Sequence, residues 1–447
     1  MSEAINSPGA KSRRFRPYPK YKASGVEWLG EIPAHWEVKP LKHAAALAMD
    51  RIDVNELEIP YLGLEHVESR TGKMVRAAEY GSSEEQGAEG LDTRFRSGDV
   101  LFGKLRPYLA KVLLSSFDGR CSSELLVLRP KGEISPAFLA YQLLSPGFIA
   151  WINAMTYGTK MPRASPDQIM GTPIAIPDSD EQNAISTFLD RETAKIDSLI
   201  DKNERLIELL QEKRKALITQ AVTKGLNPNV PTKDSGVEWL GKIPAHWEVK
   251  QLRHVGIAII GLTYEPADVV GPDEGVLVLR ASNIYDGHIV LEDNVFVKRS
   301  IPNRLNTKVG DILICARSGS RALIGKSAMI DKALVGLTFG TFMMVFRSTC
   351  NDYLFYAFNS TLFSYQSGAF LTSTINQLTL SNLNSFTVPV PPHDERAAIA
   401  AFLDRETTKS DALVAKIHEA IDRLKEYRTA LISAAVTGKI DVRSEMS

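Results

Sequence analysis

Apolar residues recur at intervals of three and four along two stretches of this chain. In the first they are Ile185, Phe188, Leu189, Ile196, Leu199, Leu206, Leu210, Leu217 and Ala221. In the second they are Ile399, Phe402, Leu403, Leu413, Ile417, Leu424, Leu431 and Ala435. Charged residues fill the remaining positions, and neither run contains Gly or Pro, so each predicts a long amphipathic helix. About 43 residues at 1.5 Å each make a rod of roughly 60 Å. Pro177 and Asp180 precede the first helix, and Pro391, Pro392 and Asp394 precede the second; Gly225 and Gly438 stand where the helices should stop. One stripe position is polar in one copy only: Asn203 aligns with Ile417, and such a residue on a seam fixes register or orientation.

Elsewhere the period shortens. ELLVLRP (Glu124–Pro130), GVLVLRAS (Gly275–Ser282), GDILICA (Gly310–Ala316) and FMMVFRS (Phe342–Ser348) predict short strands. PAFLAYQLLS (Pro136–Ser145) and DYLFYAFNS (Asp352–Ser360) predict helices between them. These runs fall in residues 44–175 and 255–389, two inserts that barely resemble each other and each read as a compact α+β domain.

The segments around the inserts do repeat. SGVEWLGEIPAHWEVKPLKH (Ser24–His43) returns as SGVEWLGKIPAHWEVKQLRH (Ser235–His254), and the helix opening EQNAISTFLDRET at Glu181 returns as ERAAIAAFLDRET at Glu395. A lone helix of this length cannot bury its stripe, and the most economical partner is the other copy. Chain order then predicts that the helices run antiparallel, with the inserts near opposite ends of a pseudo-two-fold dumbbell. The expected fold is α+β: two globular domains separated by two long antiparallel coiled-coil helices. A duplicated frame that carries two divergent inserts suggests one machine that reads two different things.

Composition narrows this picture modestly. The 447 residues carry 53 basic and 53 acidic side chains, so bulk charge does not mark the chain as a nucleic-acid coat, although local basic loops remain available. Three scattered cysteines, Cys121, Cys315 and Cys350, offer no metal spacing and fit a reducing cytoplasm. No apolar run approaches a membrane span, and MSEAINSPGAKSRRFRPYPKYK reads as a mobile basic arm with no secretory h-region.

Catalytic motifs are scarce. GSRALIGKS (Gly319–Ser327) has five residues between its glycines where a phosphate loop has four, and reads as a strand-connecting loop. Neither a dinucleotide glycine motif nor an N-P-P-Y/F methyltransferase motif is present. The paired histidines (His35 with His246, His43 with His254) lack further ligands and read as packing residues. Trp28, Trp36, Trp239 and Trp247 read the same way, as a hydrophobic clasp.

The duplicated W-L-G-x-I-P-x-H-W box, FRSGDVLFGKLRPYLAKV (Phe95–Val112), and IPDSDEQNAI leading into the F-L-D-R-E-T helix resemble the specificity subunits of type I restriction-modification systems. The resemblance extends over nearly the whole chain after about residue 20. The second half departs from it at Arg396, which replaces Gln182, and in lacking K-x-R-P-Y after its GDILI element.

The resemblance implies a flexible arm (1–19), a first target-recognition domain (20–178), a spacer helix (179–224), a linker (225–233), a second recognition domain (234–392), a second spacer helix (393–440) and a tail (441–447). Each recognition domain would read one half of an asymmetric, bipartite double-stranded DNA site. The helices would set the spacer and dock two modification (methyltransferase) subunits, with restriction/translocase subunits joining the full complex. The chain itself would be a non-catalytic, cytoplasmic reader with no cofactor of its own; S-adenosylmethionine, ATP and Mg would sit on the partners, which methylate adenine.

Base edges are read by Arg and Lys on guanine and by Asn and Gln on adenine. The candidate contacts are therefore Lys104, Arg106, Tyr108, Lys160 and Arg163 in the first insert. In the second they are Arg317, Ser318, Arg321, Lys326, Thr374, Asn376 and Gln377. The cluster Lys213, Arg214 and Lys215 is either a solvated helix face or a docking surface for partners. Two other classes compete: an enzyme with its own nuclease or methyltransferase activity, against which the missing motifs speak, and a coiled-coil protein scaffold, which has no use for divergent inserts.

Overall fold

The computed structural model describes residues 15–52, 59–75, 92–158, 160–320, 323–370 and 377–446. It divides into two compact units, Met1–Lys202 with Glu419–Ser447, and Asn203–His418. The two long helices are Ser179–Lys224 and His393–Val436, and each gives one part to each unit. Among the described residues no helix is long and apolar enough to cross a membrane.

In the first unit the start of the first long helix shares a core with the end of the second. Ile185, Phe188, Leu189 and Ile196 pack with Leu431, Ile432, Ala435 and Val436, around the fully buried Trp36 of the repeated box. The second unit repeats the arrangement with the roles exchanged: Ile218, Ala221 and Val222 pack with Ile399 and Leu403 around the buried Trp247. The helix segments are thus antiparallel within each unit. Stripe residues nearer the helix middles, Leu199, Leu206 and Leu413, are exposed, contrary to a fully buried seam. A two-helix layer has no third element to cover a stripe three or four positions wide.

The box supplies the clasp at each helix terminus. Tyr21–Ala23 pairs with Glu31–Pro33, and Glu37–Pro40 pairs with Pro173–Ile176, the strand that leads into the first long helix. Thr232–Asp234 with Lys242–Pro244, and Glu248–Gln251 with Thr387–Val390, repeat this in the second unit. His35 Nε2 lies 2.8 Å from Glu181, and His246 Nε2 lies 2.7 Å from Glu395, so both histidines hold a carboxylate in the first turn of a long helix. The helices end where the glycines predict: Gly225 and Gly438 have φ of 74° and 69°. At Gly438 a Cβ would overlap the Pro33 ring.

The segment read as a mobile arm needs correction at its inner end. Phe15 meets Phe188 edge-on at 5.3 Å, and Tyr18 is buried in the first unit's helix core. Two aromatic rings spaced among prolines anchor a segment whose composition alone suggests mobility. The tail is likewise tied down, with Val442 buried and Arg443 over the Tyr18 ring.

The divergent inserts share a sheet. In the first unit the strands run in the order Ala45–Leu47, Leu125–Pro130, Val100–Gly103, Val112–Leu114; in the second, Ile257–Ile260, Met343–Arg347, Ile312–Cys315, Ser327–Met329. All these pairings are antiparallel. Asp99 and Asp311, from the G-D pair ahead of each third strand, are buried and accept both arms of a guanidinium, from Arg129 (3.0 and 2.8 Å) and Arg347 (2.8 and 2.6 Å).

The second four-stranded sheets differ. Each contains one parallel pair, Tyr61–Leu62 with Gly119–Cys121 and Val276–Leu279 with Thr338–Phe339. In the first unit the further strands, Asp92–Phe95 and Arg51–Ile52, continue from Gly119–Cys121. In the second, Val295–Val297 and Val269–Val270 continue from the other member, Val276–Leu279.

Candidate nucleic-acid interface

In the first unit the chain leaves strand Val100–Gly103, passes Lys104, and makes a tight turn over Pro107–Leu109. Arg106 (φ 50°) and Ala110 (φ 47°) bracket this turn in the left-handed region, which side-chain-bearing residues rarely adopt and which clusters at functional sites. A second loop lies against the first. Arg106 N–H donates to the Pro162 carbonyl at 2.7 Å, Ala164 N–H to the Lys104 carbonyl at 3.0 Å, and Leu105 bridges Arg163. The second loop closes on itself through two Tyr157–Arg163 backbone hydrogen bonds.

Lys104, Arg106, Tyr108, Lys160 and Arg163 therefore come from two loops that form one surface, and Tyr108, Lys160 and Arg163 are exposed there. Tyr157 and Met161 add exposed apolar surface. The segment Gly158–Ser165 does not run directly into the strand ahead of the long helix. A short helix, Pro166–Gly171, intervenes, with Ser165 accepting the Gln168 N–H as its cap.

The second unit builds the same junction. Leu378 N–H donates to the Ala316 carbonyl at 2.7 Å, and Arg317 bridges Gln377. Arg317 is exposed and Gln377 half-buried. Ser318 is half-buried, and its hydroxyl accepts the Ser320 N–H at 3.3 Å, so it shapes its own loop. Arg321, Thr374 and Asn376 lie outside the described residues.

Lys326 is exposed but departs from the junction. It lines a cleft of about 660 Å³ with Gln211, Lys215, Asp286, His288 and Asp411. The segment Gly319–Ser327 leads into strand Ser327–Met329 and so lacks the helix N-terminus that a phosphate loop needs.

The side chains at the junctions differ in kind. At the position where a neighbouring strand's carbonyl receives the loop's amide, the first unit has Glu124 (from Lys104 N–H, 3.0 Å) and the second has Phe342 (from Ala316 N–H, 2.9 Å). Glu124 pairs with Arg163 at 2.9 Å, whereas Phe342, 53% exposed, lies under the Arg317 guanidinium at 5.1 Å. Sequence reasoning missed both residues. The signal available was their place immediately before a strand that each insert shows clearly.

Lys111 is a third case. It occupies the place that Lys326 takes in the second unit, but its ammonium donates to the Leu64 carbonyl at 2.5 Å, and burial lowers its pKa against the opposing pull of Glu65. It acts as a strut of the first unit. Among the described residues no group of three or more His, Cys, Asp or Glu is placed to hold a metal ion.

Each unit thus carries a helix pair, a clasp and a loop junction, and the side chains at the two junctions differ. The family model described as the type I restriction modification DNA specificity domain matches residues 58–209 and again 273–423. The chain belongs to that family. It is 28% identical over 208 residues to the type I restriction enzyme EcoKI specificity subunit of Escherichia coli K12, covering 45% of this chain and 44% of that one. The alignment with the StySPI specificity subunit of Salmonella potsdam has the same extent, so the chain spans less than half the length of these two relatives. A sequence from Methanocaldococcus jannaschii, named as the type I restriction enzyme MjaX specificity subunit, is 23% identical over 93% of this chain and 96% of its own. In fold, the chain resembles a structure from work on complex assembly and conformational transition of the type I R-M system. The TM-score is 0.66 at 22% identity, over 92% of this chain and 99% of that one.

Proposed function

We propose that this chain is the DNA-reading subunit of a type I restriction-modification complex, in which each unit reads one half of an asymmetric, bipartite duplex site. The observation that carries this reading is the twice-built loop junction. Leu105 with Arg163, and Arg317 with Gln377, occupy corresponding places beside the two units' like-ordered sheets, while the side chains around them differ. A shared frame with unlike exposed groups fits half-sites that differ in sequence, because base edges are distinguished by donor and acceptor pattern.

The paired helices set the spacer, as half-site spacing follows protein spacing. Leu199, Leu206, Leu209 and Leu413 are exposed on them and offer apolar surface to two methyltransferase subunits. S-adenosylmethionine, and ATP and Mg where a restriction/translocase subunit joins, belong to those partners in this reading, and the chain contributes no reacting group. Its zero net charge makes affinity depend on the partners' basic surface, with the steep salt dependence of phosphate binding.

The test is single-molecule methylome sequencing of cells that carry the chain with its neighbouring methyltransferase, against a deletion of this chain alone. Loss of one asymmetric bipartite methyladenine motif is expected. An unchanged methylome with both proteins expressed would favour the scaffold reading.

A further inference from the structure

In the first unit one turn bonds both the helix pair and the reading loop. Asp197 and Arg428, from the first and second long helices, form an ion pair at 2.9 Å with little solvent exposure on either side. Arg428 also donates to two backbone carbonyls, Arg70 at 3.1 Å and Thr71 at 2.8 Å. Lys73, two residues on, reaches back to Asp197 at 2.8 Å.

The turn thus gripped is internally braced: Thr71 Oγ1 donates to Glu68 at 2.8 Å, and Glu68 N–H donates to the Lys73 carbonyl at 2.9 Å. Its far side bonds the reading loop. Arg70 N–H donates to the Ala110 carbonyl at 3.1 Å, and the Arg70 guanidinium approaches the Tyr108 carbonyl at 3.5 Å. Arg70 itself is left-handed, with φ of 68°.

The second unit carries the same charges in looser form. Arg214 and Asp411 stand at the places of Arg428 and Asp197, but lie 3.5 Å apart and are more exposed. The corresponding turn offers Asp286, 3.9 Å from Arg214, and His288, 3.9 Å from Asp411. Asp286, His288 and Asp411 border the 660 Å³ cleft, where the first unit has its grip.

We infer that Arg428 is a positioning residue for half-site recognition: by holding the Arg70 and Thr71 carbonyls against the helix pair it fixes the Lys104–Tyr108 loop, and with it the accuracy of the first unit's half-site. The inference rests on the DNA-reading function proposed above. It assigns the two units unlike rigidity at this turn, held in the first by a close ion pair and two carbonyl hydrogen bonds and in the second only by charge pairs of 3.5–3.9 Å. Arginine is required because its planar fork reaches one carboxylate and two carbonyls together, which a lysine ammonium cannot do.

The experiment expresses the full chain with its methyltransferase partner in cells carrying a plasmid library of single mismatches across both half-sites. Methylation is read site by site, and exchange of residues 44–175 assigns the half-site of the first unit. Arg428→Lys should raise mismatch tolerance in that half-site by about tenfold, the size of one base contact, and leave the other half-site unchanged. Arg214→Lys should move either half-site by less than about twofold, as expected for an exposed pair.

A purely structural role for Arg428 would lower methylation at every site equally, so equal loss, or no change, overturns the inference. If Arg428→Lys fails to accumulate, Lys73→Met removes only the half-exposed outer cation. It should then give a smaller shift in the same half-site, and an unshifted profile overturns the inference. A wild-type chain that specifies no bipartite motif would instead remove the DNA-reading function itself.

Discussion

In the first unit Gln142 Nε2 donates to the carbonyls of Ala175 (2.7 Å) and Val436 (3.0 Å), joining the strand ahead of one long helix to the end of the other. In the second unit the carbonyls at the same two places, Pro389 and Val222, share the single O–H of Tyr353, which lies 2.8 and 3.0 Å from them and donates to one at a time. An amide with two N–H groups in one half and a phenol with one O–H in the other meet the same buried acceptors. A neighbouring contact is kept with the same residue type: Tyr141 bonds Asp190, and Tyr356 bonds Asp404. Buried backbone groups must find partners, but any donor of suitable reach will serve. The frame therefore conserves positions more than residues, and the exposed junctions, free of that demand, diverge further still.

The comparison can be broken most severely at the helix stops. Both glycines are left-handed, but Gly438→Ala places a Cβ on the Pro33 ring, whereas at Gly225 the nearest atoms to a new Cβ, on Glu395 and the Trp247 ring, are 3.1 Å away. Gly438→Ala should cost about 3 kcal/mol or more and Gly225→Ala nearer 1 kcal/mol, as read by denaturant unfolding of the two variants side by side.

Removing the shared carbonyl ties comes next. Tyr353→Phe removes the one donor that two buried carbonyls share and should destabilise the chain by about 1–2 kcal/mol; Gln142→Leu removes two donors and should cost about 2 kcal/mol or more. Tyr353→Gln sharpens the point. If position outweighs residue type, it should recover part of the loss, and no recovery would show that the phenol's geometry is indispensable.

At the junctions, Arg163→Ala and Arg317→Ala should each weaken or relax one half-site only, by about 1–3 kcal/mol in competition binding with the partner present. Lys160→Ala, an exposed cation, should lower affinity slightly and evenly across sequences and reduce the salt slope by about one.

The long helices were legible because their apolar stripe persists over many turns, and the clasp was legible because it is spelled twice. The common sheet of the inserts was not. Its strands are short, and Leu125–Pro130 and Met343–Arg347 share a continuous buried apolar run but few identities. The candidate residues of the first insert were legible by type, yet the meeting of the two loops that carry them depends on backbone bonds between residues such as Arg106 and Pro162, distant in sequence. Arg214 read as part of an ordinary charged face; its partial burial against Asp411 appears only when the second helix is in place. Glu124 and Phe342 gave no periodic signal, because their role comes from the strand edge on which they stand.

The most direct test of two independent readers on one frame is a reciprocal exchange. Residues 44–175 are replaced by the first insert of a relative of known target, and the methylome of cells expressing the hybrid with its methyltransferase is sequenced. The account predicts a motif in which one half-site changes to the donor's while the other half-site and the spacer remain. A motif altered in both halves, or in neither, would contradict it.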